Sequence, residues 1–225
     1  MTPRGCARLS VAATVTAAGA LAYAETALPA QVLLSHYALV PGGLAPVIAG
    51  MLALAGACVW LAYGLAVTDP VRTAATRVLL LAGAAGLVLS AIFPTDPSGS
   101  HLDTVSGEIH RWAAAVVFTS LPVAGWMLAR GRTGTPGWNA VRALSVAAGV
   151  TLAVYLAAHP ASFTSSFVNG GAYYGLLERA VVVADMALIV AMAVTMAGAT
   201  ARLRPAAATE SAVRTSETEQ QRLAA

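Results

Sequence analysis

Lysine is absent from this chain, and charged residues of every kind are scarce. Charged residues make up 10% of the 225 positions, whereas 58% are hydrophobic and the mean hydropathy is +0.72. An ordinary soluble domain carries about 25% charged residues, so that class of protein is excluded. The sequence instead predicts an all-α integral membrane protein, a polytopic helix bundle of the cell membrane whose first partner is the lipid bilayer.

Two other shortages narrow the range of functions. The net charge of +3 comes from scattered arginines without a basic cluster, so no nucleic-acid partner is expected despite a pI near 9.2. Only two cysteines are present. Cys6 lacks the residues of a lipoprotein box. Cys58 lies inside an apolar run, and no disulfide is implied. The spans themselves leave no room for a sizeable soluble domain.

Six apolar segments are long enough to cross a bilayer as helices. They cover residues 9–24, 44–67, 75–93, 111–129, 142–159 and 174–200, and residues typical of turns separate them. We expect residues 1–204 to form one six-helix transmembrane domain and the polar residues 205–225 to form a disordered cytoplasmic tail. The sequence shows no repeat of the kind found in alternating-access carriers, and it does not indicate an oligomeric state.

The arginines predict the orientation of the chain. Eleven of the thirteen precede the first span, follow the last span, or lie between spans two and three or four and five. The positive-inside rule assigns this side to the cytoplasm, with both termini inside. Residues 1–24 also resemble a signal peptide that ends in Ala22-Tyr23-Ala24. The apolar run is long for such a signal, so we expect an uncleaved first span, and the later topology is the same in either case.

Ionisable residues gather at the opposite, predicted outer side. Glu178 and Asp185 are seven residues apart on the last span, so they share one helix face about 10 Å apart along the axis. Asp185 is then expected to lie within the hydrocarbon, where an ionisable residue is a functional-site hypothesis by default. The alternative is an interhelical hydrogen bond or a buried structural pair with Arg179 or Arg111. The same side holds all four histidines: His36, His101, His110 and His159.

Three motifs resemble a known family. They are FPTDP at 93–97, GEIH at 107–110 and GLLER at 175–179, and they resemble the prokaryotic six-helix membrane family catalogued as domain-of-unknown-function family 998. The resemblance covers most of the chain and implies a fold and a membrane location, but no settled chemistry. It implies that Asp96, His110, Glu178 and Arg179 are the signature polar positions. Because polar groups that face lipid are costly, we expect these four to converge in one outward pocket.

A divalent metal and a haem are the two cofactors that these histidines could bind. A divalent metal would use Asp96, His101 and His110, but His101 and His110 lack a helical ligand spacing and no HExxH motif is present. A haem held by His36 and His159 would fit a helix bundle, but the inner half has no histidine to complete an electron path. No metal and no cofactor are therefore predicted.

Acid-base or anion-binding chemistry remains the preferred interpretation. A carboxyl group in an apolar pocket can give a proton, and arginine can hold an anionic head group. The predicted function is a membrane-embedded enzyme acting on a lipid or isoprenoid-like substrate, and the alternative is a non-catalytic carrier, sensor or assembly protein whose polar cluster binds a ligand or holds the helices together. The predicted catalytic residues are Asp96, His110 and Glu178, and the predicted substrate-binding residues are Arg111, Arg179 and Asp185.

Overall fold

The computed structural model describes residues 1–97, 104–132, 135–159 and 170–223, and in the last segment it describes the side chains of residues 173–199. Within these ranges the regular secondary structure is helical throughout, which confirms the all-α prediction. His101 and Asp103 lie outside the described residues.

Six long helices carry the fold, and a short 3-10 helix at Ser35–Leu39 lies between the first two. Each long helix contains a stretch long and apolar enough to cross a membrane, which in the sixth is Tyr173–Ala199. The six predicted spans are therefore confirmed, and the protein is a multi-pass membrane protein. The helices are α1 (Pro3–Ala27), α2 (Leu44–Thr68), α3 (Ala74–Ile92), α4 (Val105–Ala129), α5 (Pro136–Ala157) and α6 (Gly170–Leu223).

The last helix is longer than the sequence indicated. It continues from its membrane stretch as far as Leu223, through most of the residues expected to form a disordered tail. The domain boundary at residue 204 and the disorder of residues 205–225 stay predictions.

The helices pack in sequential order and close into a ring. Each long helix contacts the next one along the chain, and α6 returns to contact α1. Small residues allow this close approach, which lipid alone does not drive. A Cβ atom at Gly86 of α3 would press against the Ala113 carbonyl and the Val117 side chain of α4. Gly86 therefore allows α3 and α4 to pack closely.

Arginine contacts join two loops at one end of the bundle. Arg132 lies 3.8 Å from the carboxylate of Asp69, and its guanidinium stacks 4.3 Å above the ring of Trp138. Arg72 donates a hydrogen bond of 3.3 Å to the carbonyl oxygen of Gly131. The α2–α3 and α4–α5 loops thus lie together, as expected for the predicted cytoplasmic end. The end that carries the 3-10 helix is called the outer end below.

The orientation of the bundle stays a prediction, and cysteine labelling tests it. Val32 is 58% exposed at the outer end and Val71 is 87% exposed in the α2–α3 loop. In a variant with Cys6 and Cys58 replaced by alanine, we expect Val32→Cys to react with an impermeant maleimide in intact cells. Val71→Cys should react only after the membrane is permeabilised. The reverse pattern would overturn the predicted topology.

Candidate functional site

A cavity of about 520 Å³ occupies the outer end of the bundle. Its wall includes residues of the 3-10 helix and of all helices from α2 to α6. Five of the six residues predicted for the site line this cavity, although spans three, four and six are far apart in sequence. These five are Asp96, His110, Arg111, Glu178 and Asp185.

Asp96 fixes the start of α4. Pro94 and Pro97 cannot continue α3, so the chain leaves the helix and turns back. The Asp96 carboxylate accepts hydrogen bonds from the Thr104 hydroxyl at 2.6 Å and from the Thr104 backbone N–H at 3.3 Å. Thr104 in turn caps α4, because its Oγ1 accepts a hydrogen bond of 3.0 Å from the Gly107 N–H. The first motif is therefore tied to the second by its carboxylate.

His110 fixes the end of α3. Its Nδ1 lies 2.9 Å from the carbonyl oxygen of Phe93 and 3.2 Å from that of Ser90. The last carbonyls of a helix lack helical partners. Both neighbours are acceptors, so Nδ1 is the nitrogen that donates a proton, and Nε2 is the acceptor of the neutral ring. His110 and Asp96 together hold the corner between α3 and α4.

Glu178 holds the segment that leads into the 3-10 helix. Its Oε2 accepts a hydrogen bond of 2.6 Å from the backbone N–H of Leu34. The side chain is buried at the outer end of α6. Glu178 therefore accepts a hydrogen bond from a backbone N–H, as the carboxylate of Asp96 also does.

Arg179 points away from the cavity, although it was expected to converge on it. Its Nε lies 2.5 Å from Oε1 of Glu25 at the end of α1. The same guanidinium donates hydrogen bonds of 2.9 Å to the Gln31 carbonyl and 2.8 Å to the Val32 carbonyl. Five donors in a planar fork suit this multiple recognition. Arg179 thus fastens residues 25–32 to α6.

Arg111 stands at the rim of the cavity. Its Nη2 lies 2.7 Å from Oε2 of Glu108, and both side chains are about half exposed to solvent. Trp112 donates a hydrogen bond of 2.7 Å to the other oxygen of the same carboxylate. Arg111 thus pairs with Glu108 and Arg179 with Glu25, and the structural pairing considered for Asp185 stays a prediction.

Asp185 differs from the other two carboxylates of the site. It lies near the middle of the membrane stretch of α6, lines the cavity and is 1% exposed. Neither of its oxygens has a hydrogen-bond partner among the described residues. Burying a polar group without a partner costs free energy, and burying an unpaired charge costs much more. Such a group indicates a site that exchanges a proton or binds a ligand.

Aromatic rings form one side of the cavity. Tyr155 of α5 and Tyr174 of α6 stack with centroids 4.6 Å apart, and their hydroxyl groups are joined by a hydrogen bond of 2.7 Å. Phe118 contacts Tyr155 edge-on at 6.3 Å, and His159 contacts Tyr174 edge-on at 5.3 Å. Sequence reasoning missed Tyr155 and Phe118, because a ring within an apolar span has no pattern that separates a cavity wall from a lipid-facing surface.

The cavity wall extends to the side of the bundle. Ala115 and Thr119 of α4 and Leu156 of α5 line the cavity, and all three are exposed on the surface of the bundle. These residues lie within helices long and apolar enough to span a membrane. The cavity and the lipid-facing surface therefore share residues of α4 and α5.

His36 reaches the cavity from the 3-10 helix. Burial lowers the pKa of this imidazole, and the nearby His110 ring lowers it further. A histidine with a lowered pKa is neutral at pH 7. His36 therefore adds hydrogen-bonding capacity to the wall without adding a positive charge.

Comparison with known proteins supports the resemblance of the three motifs. A family model described as "Protein of unknown function (DUF998)" matches residues 7–195. The chain belongs to this family. The match runs from α1 into α6 and contains all three motifs. No curated protein and no solved structure matches the chain.

The structure gives each motif of this DUF998 protein a place around the cavity. FPTDP ends α3, GEIH begins α4, and GLLER begins the membrane stretch of α6. Asp96, His110 and Glu178 from these motifs each bond to a backbone group at the cavity wall, and Arg179 bonds to backbone groups behind it. Their contacts hold the outer segments in position, whereas Asp185 lies outside the motifs.

Proposed function

We propose that this membrane protein binds a lipid or isoprenoid-like molecule in the cavity of its outer end and acts on it as an enzyme by acid-base chemistry. Asp185 is the group that exchanges the proton. The observation that carries this proposal is a buried carboxyl group that has no hydrogen-bond partner among the described residues and lies at the wall of a cavity inside a membrane helix bundle.

The shape of the cavity supports an amphiphilic substrate. Its apolar wall includes Leu54, Leu87 and Leu152, which suit a hydrocarbon tail. The residues of α4 and α5 that the cavity shares with the lipid-facing surface place such a tail beside the bilayer, while Arg111 and His159 lie at the polar outer rim. A water-soluble metabolite would need neither feature.

The contacts divide the carboxylates into two roles. Asp96 and Glu178 are engaged with backbone donors, which supports a positioning role for both. Asp185 accepts no hydrogen bond from any described residue, so its proton is available to a reacting group. His110 offers Nε2 as a second acid-base group, since Nδ1 is held by the carbonyls of α3. Asp185 and His110 therefore supply one carboxyl group and one imidazole to the same cavity.

A non-catalytic carrier or sensor is the second candidate. It is favoured by one specific observation: the predicted catalytic residues Asp96, His110 and Glu178 all make contacts that would hold a binding pocket in shape. In that case the ligand binds in the same cavity and leaves unchanged.

Photolabelling tests whether the cavity is occupied by an amphiphile. A long-chain alcohol with a terminal diazirine, added to membranes that contain the protein, should label peptides of α4 and α5. Ala114→Phe places a ring at a lining residue and should remove most of this labelling. Val154→Phe is the matched control, because Val154 is exposed on α5 and faces lipid. Equal labelling of both variants and the wild type would contradict the proposal.

The lipid composition of membrane extracts distinguishes the enzyme hypothesis from the carrier hypothesis. In the native host, we expect Asp185→Asn to remove at least one lipid-soluble product and to accumulate its precursor, since an amide cannot donate an acidic proton. Mass spectrometry of the extracts compares this variant with Asp69→Asn, a carboxylate outside the cavity. Extracts of Asp185→Asn that match the wild type would favour the carrier.

A further inference from the structure

The charge of the cavity wall is one-sided. Three carboxylates line it, from Asp96, Glu178 and Asp185. Among the described lining residues the basic side chain is Arg111, which stands at the exposed rim against Glu108, and the chain has no lysine. Among the described residues that line the cavity, the interior therefore carries carboxyl groups, and the basic side chain stands at the rim.

The imidazoles do not reverse this balance. The pKa of His36 is lowered by burial and by His110, so this ring is neutral at pH 7. His110 already donates from Nδ1 to carbonyl oxygens. His159 lies at the exposed outer edge, with its ring against Tyr174. His36 therefore supplies no positive charge to an anionic head group.

Asp185 is the carboxylate with unused bonding capacity. The oxygens of Asp96 accept two hydrogen bonds from Thr104, and Glu178 accepts one from Leu34, whereas both Asp185 oxygens are left without partners among the described residues. An ionised carboxylate has about four acceptor sites and no donor. Its natural complement is a cation that also carries N–H donors, because such a group supplies both charge and hydrogen bonds.

The aromatic wall suits the same kind of ligand. The rings of Phe118, Tyr155 and Tyr174 line the cavity with Asp185. Aromatic faces attract cations and repel anions, and the attraction grows when the cation is removed from water. A positively charged group that passes these rings on its way to Asp185 is stabilised along the path.

We infer that the cavity is selective for a hydrophobic amine, bound as its ammonium form with the nitrogen at Asp185 and the tail among the apolar side chains. This selectivity rests on the proposed occupancy of the cavity and specifies the class of molecule that occupies it. It differs from the expectation of an anionic head group held by Arg111 and Arg179, of which the first is paired with Glu108 and the second with Glu25.

A matched series of decyl compounds tests the inference. The purified protein in zwitterionic phosphatidylcholine nanodiscs is titrated with decylamine, decyltrimethylammonium, decanol and decyl phosphate, and empty nanodiscs correct for partitioning. We expect both cations to bind the wild type at least about thirtyfold more tightly than decanol, as is typical of a buried charge pair. Decyl phosphate should bind more weakly than decanol.

The variants assign the selectivity to one carboxyl group. Asp185→Asn should bind all four compounds with similar affinity, whereas Asp69→Asn should keep the preference of the wild type. Similar binding of all four by the wild type would overturn the amine inference and leave the proposed occupancy intact. Preferred binding of decyl phosphate would also overturn it, and no binding of any compound would overturn the occupancy as well. The wild-type series decides the question even if a variant fails to fold.

Discussion

Asp185→Leu is expected to raise the stability of the protein while it abolishes function. The native carboxyl group is buried without a partner among the described residues, and removal of such a group recovers its desolvation cost, about 1–3 kcal/mol in the free energy of unfolding. Leucine cannot exchange a proton or pair with a cation. Thermal unfolding in detergent, measured beside the extract and nanodisc assays, reports both effects on the same preparation.

Two control variants make the result interpretable. Asp185→Asn keeps the size of the side chain and should lose function with a smaller gain in stability. Glu178→Leu changes a carboxylate that accepts a hydrogen bond from Leu34, so it should lower the melting temperature by stranding that buried N–H. A loss of stability in Asp185→Leu similar to that of Glu178→Leu would mean that Asp185 holds the helices together.

Gly107→Ala is expected to disrupt the corner between α3 and α4. A Cβ atom at this position would collide with the Asp96 carboxylate, which has to move and release Thr104. Overpacking costs about 1–3 kcal/mol and the loss of a hydrogen bond about 0.5–1.5 kcal/mol, so the free energy of unfolding should fall by roughly 2–3 kcal/mol. Thermal unfolding in detergent measures the change.

Gly149 of α5 provides a matched control for this steric argument. A Cβ atom there has no neighbour within 4 Å among the described residues, so Gly149→Ala should be neutral or stabilise by about 0.5–1 kcal/mol through helix propensity. The double variant Gly107→Ala with Asp96→Ala removes the carboxylate with which the new Cβ atom collides. Its loss of stability should be smaller than the sum of the two single losses. Additive losses would show that the two residues are not in contact.

The structure shows backbone contacts of the motif residues that the sequence does not indicate. Asp96, His110 and Glu178 were predicted to be catalytic because ionisable groups are rare in a membrane chain. Ionisable residues can also be present for a structural reason, since loops at a membrane boundary contain backbone groups that need hydrogen-bond partners. Each of the three side chains bonds to such a group. A single sequence does not separate these causes, because the backbone partner is set by a loop conformation that has no residue pattern.

The sequence by itself determined the class of the protein, its six spans, its family and the crowding of polar residues at one end. These properties follow from composition and from the length of apolar runs, which the bilayer imposes on any helix that crosses it. Only the tertiary structure decided that Arg179 pairs with Glu25, that Asp185 is left without a partner among the described residues, and that Tyr155 and Phe118 form a cavity wall. The reason is that spans surrounded by lipid are apolar on every face, so their sequences do not indicate how each helix is rotated. The rotation selects which side chains meet, and the chemistry of the cavity depends on that choice.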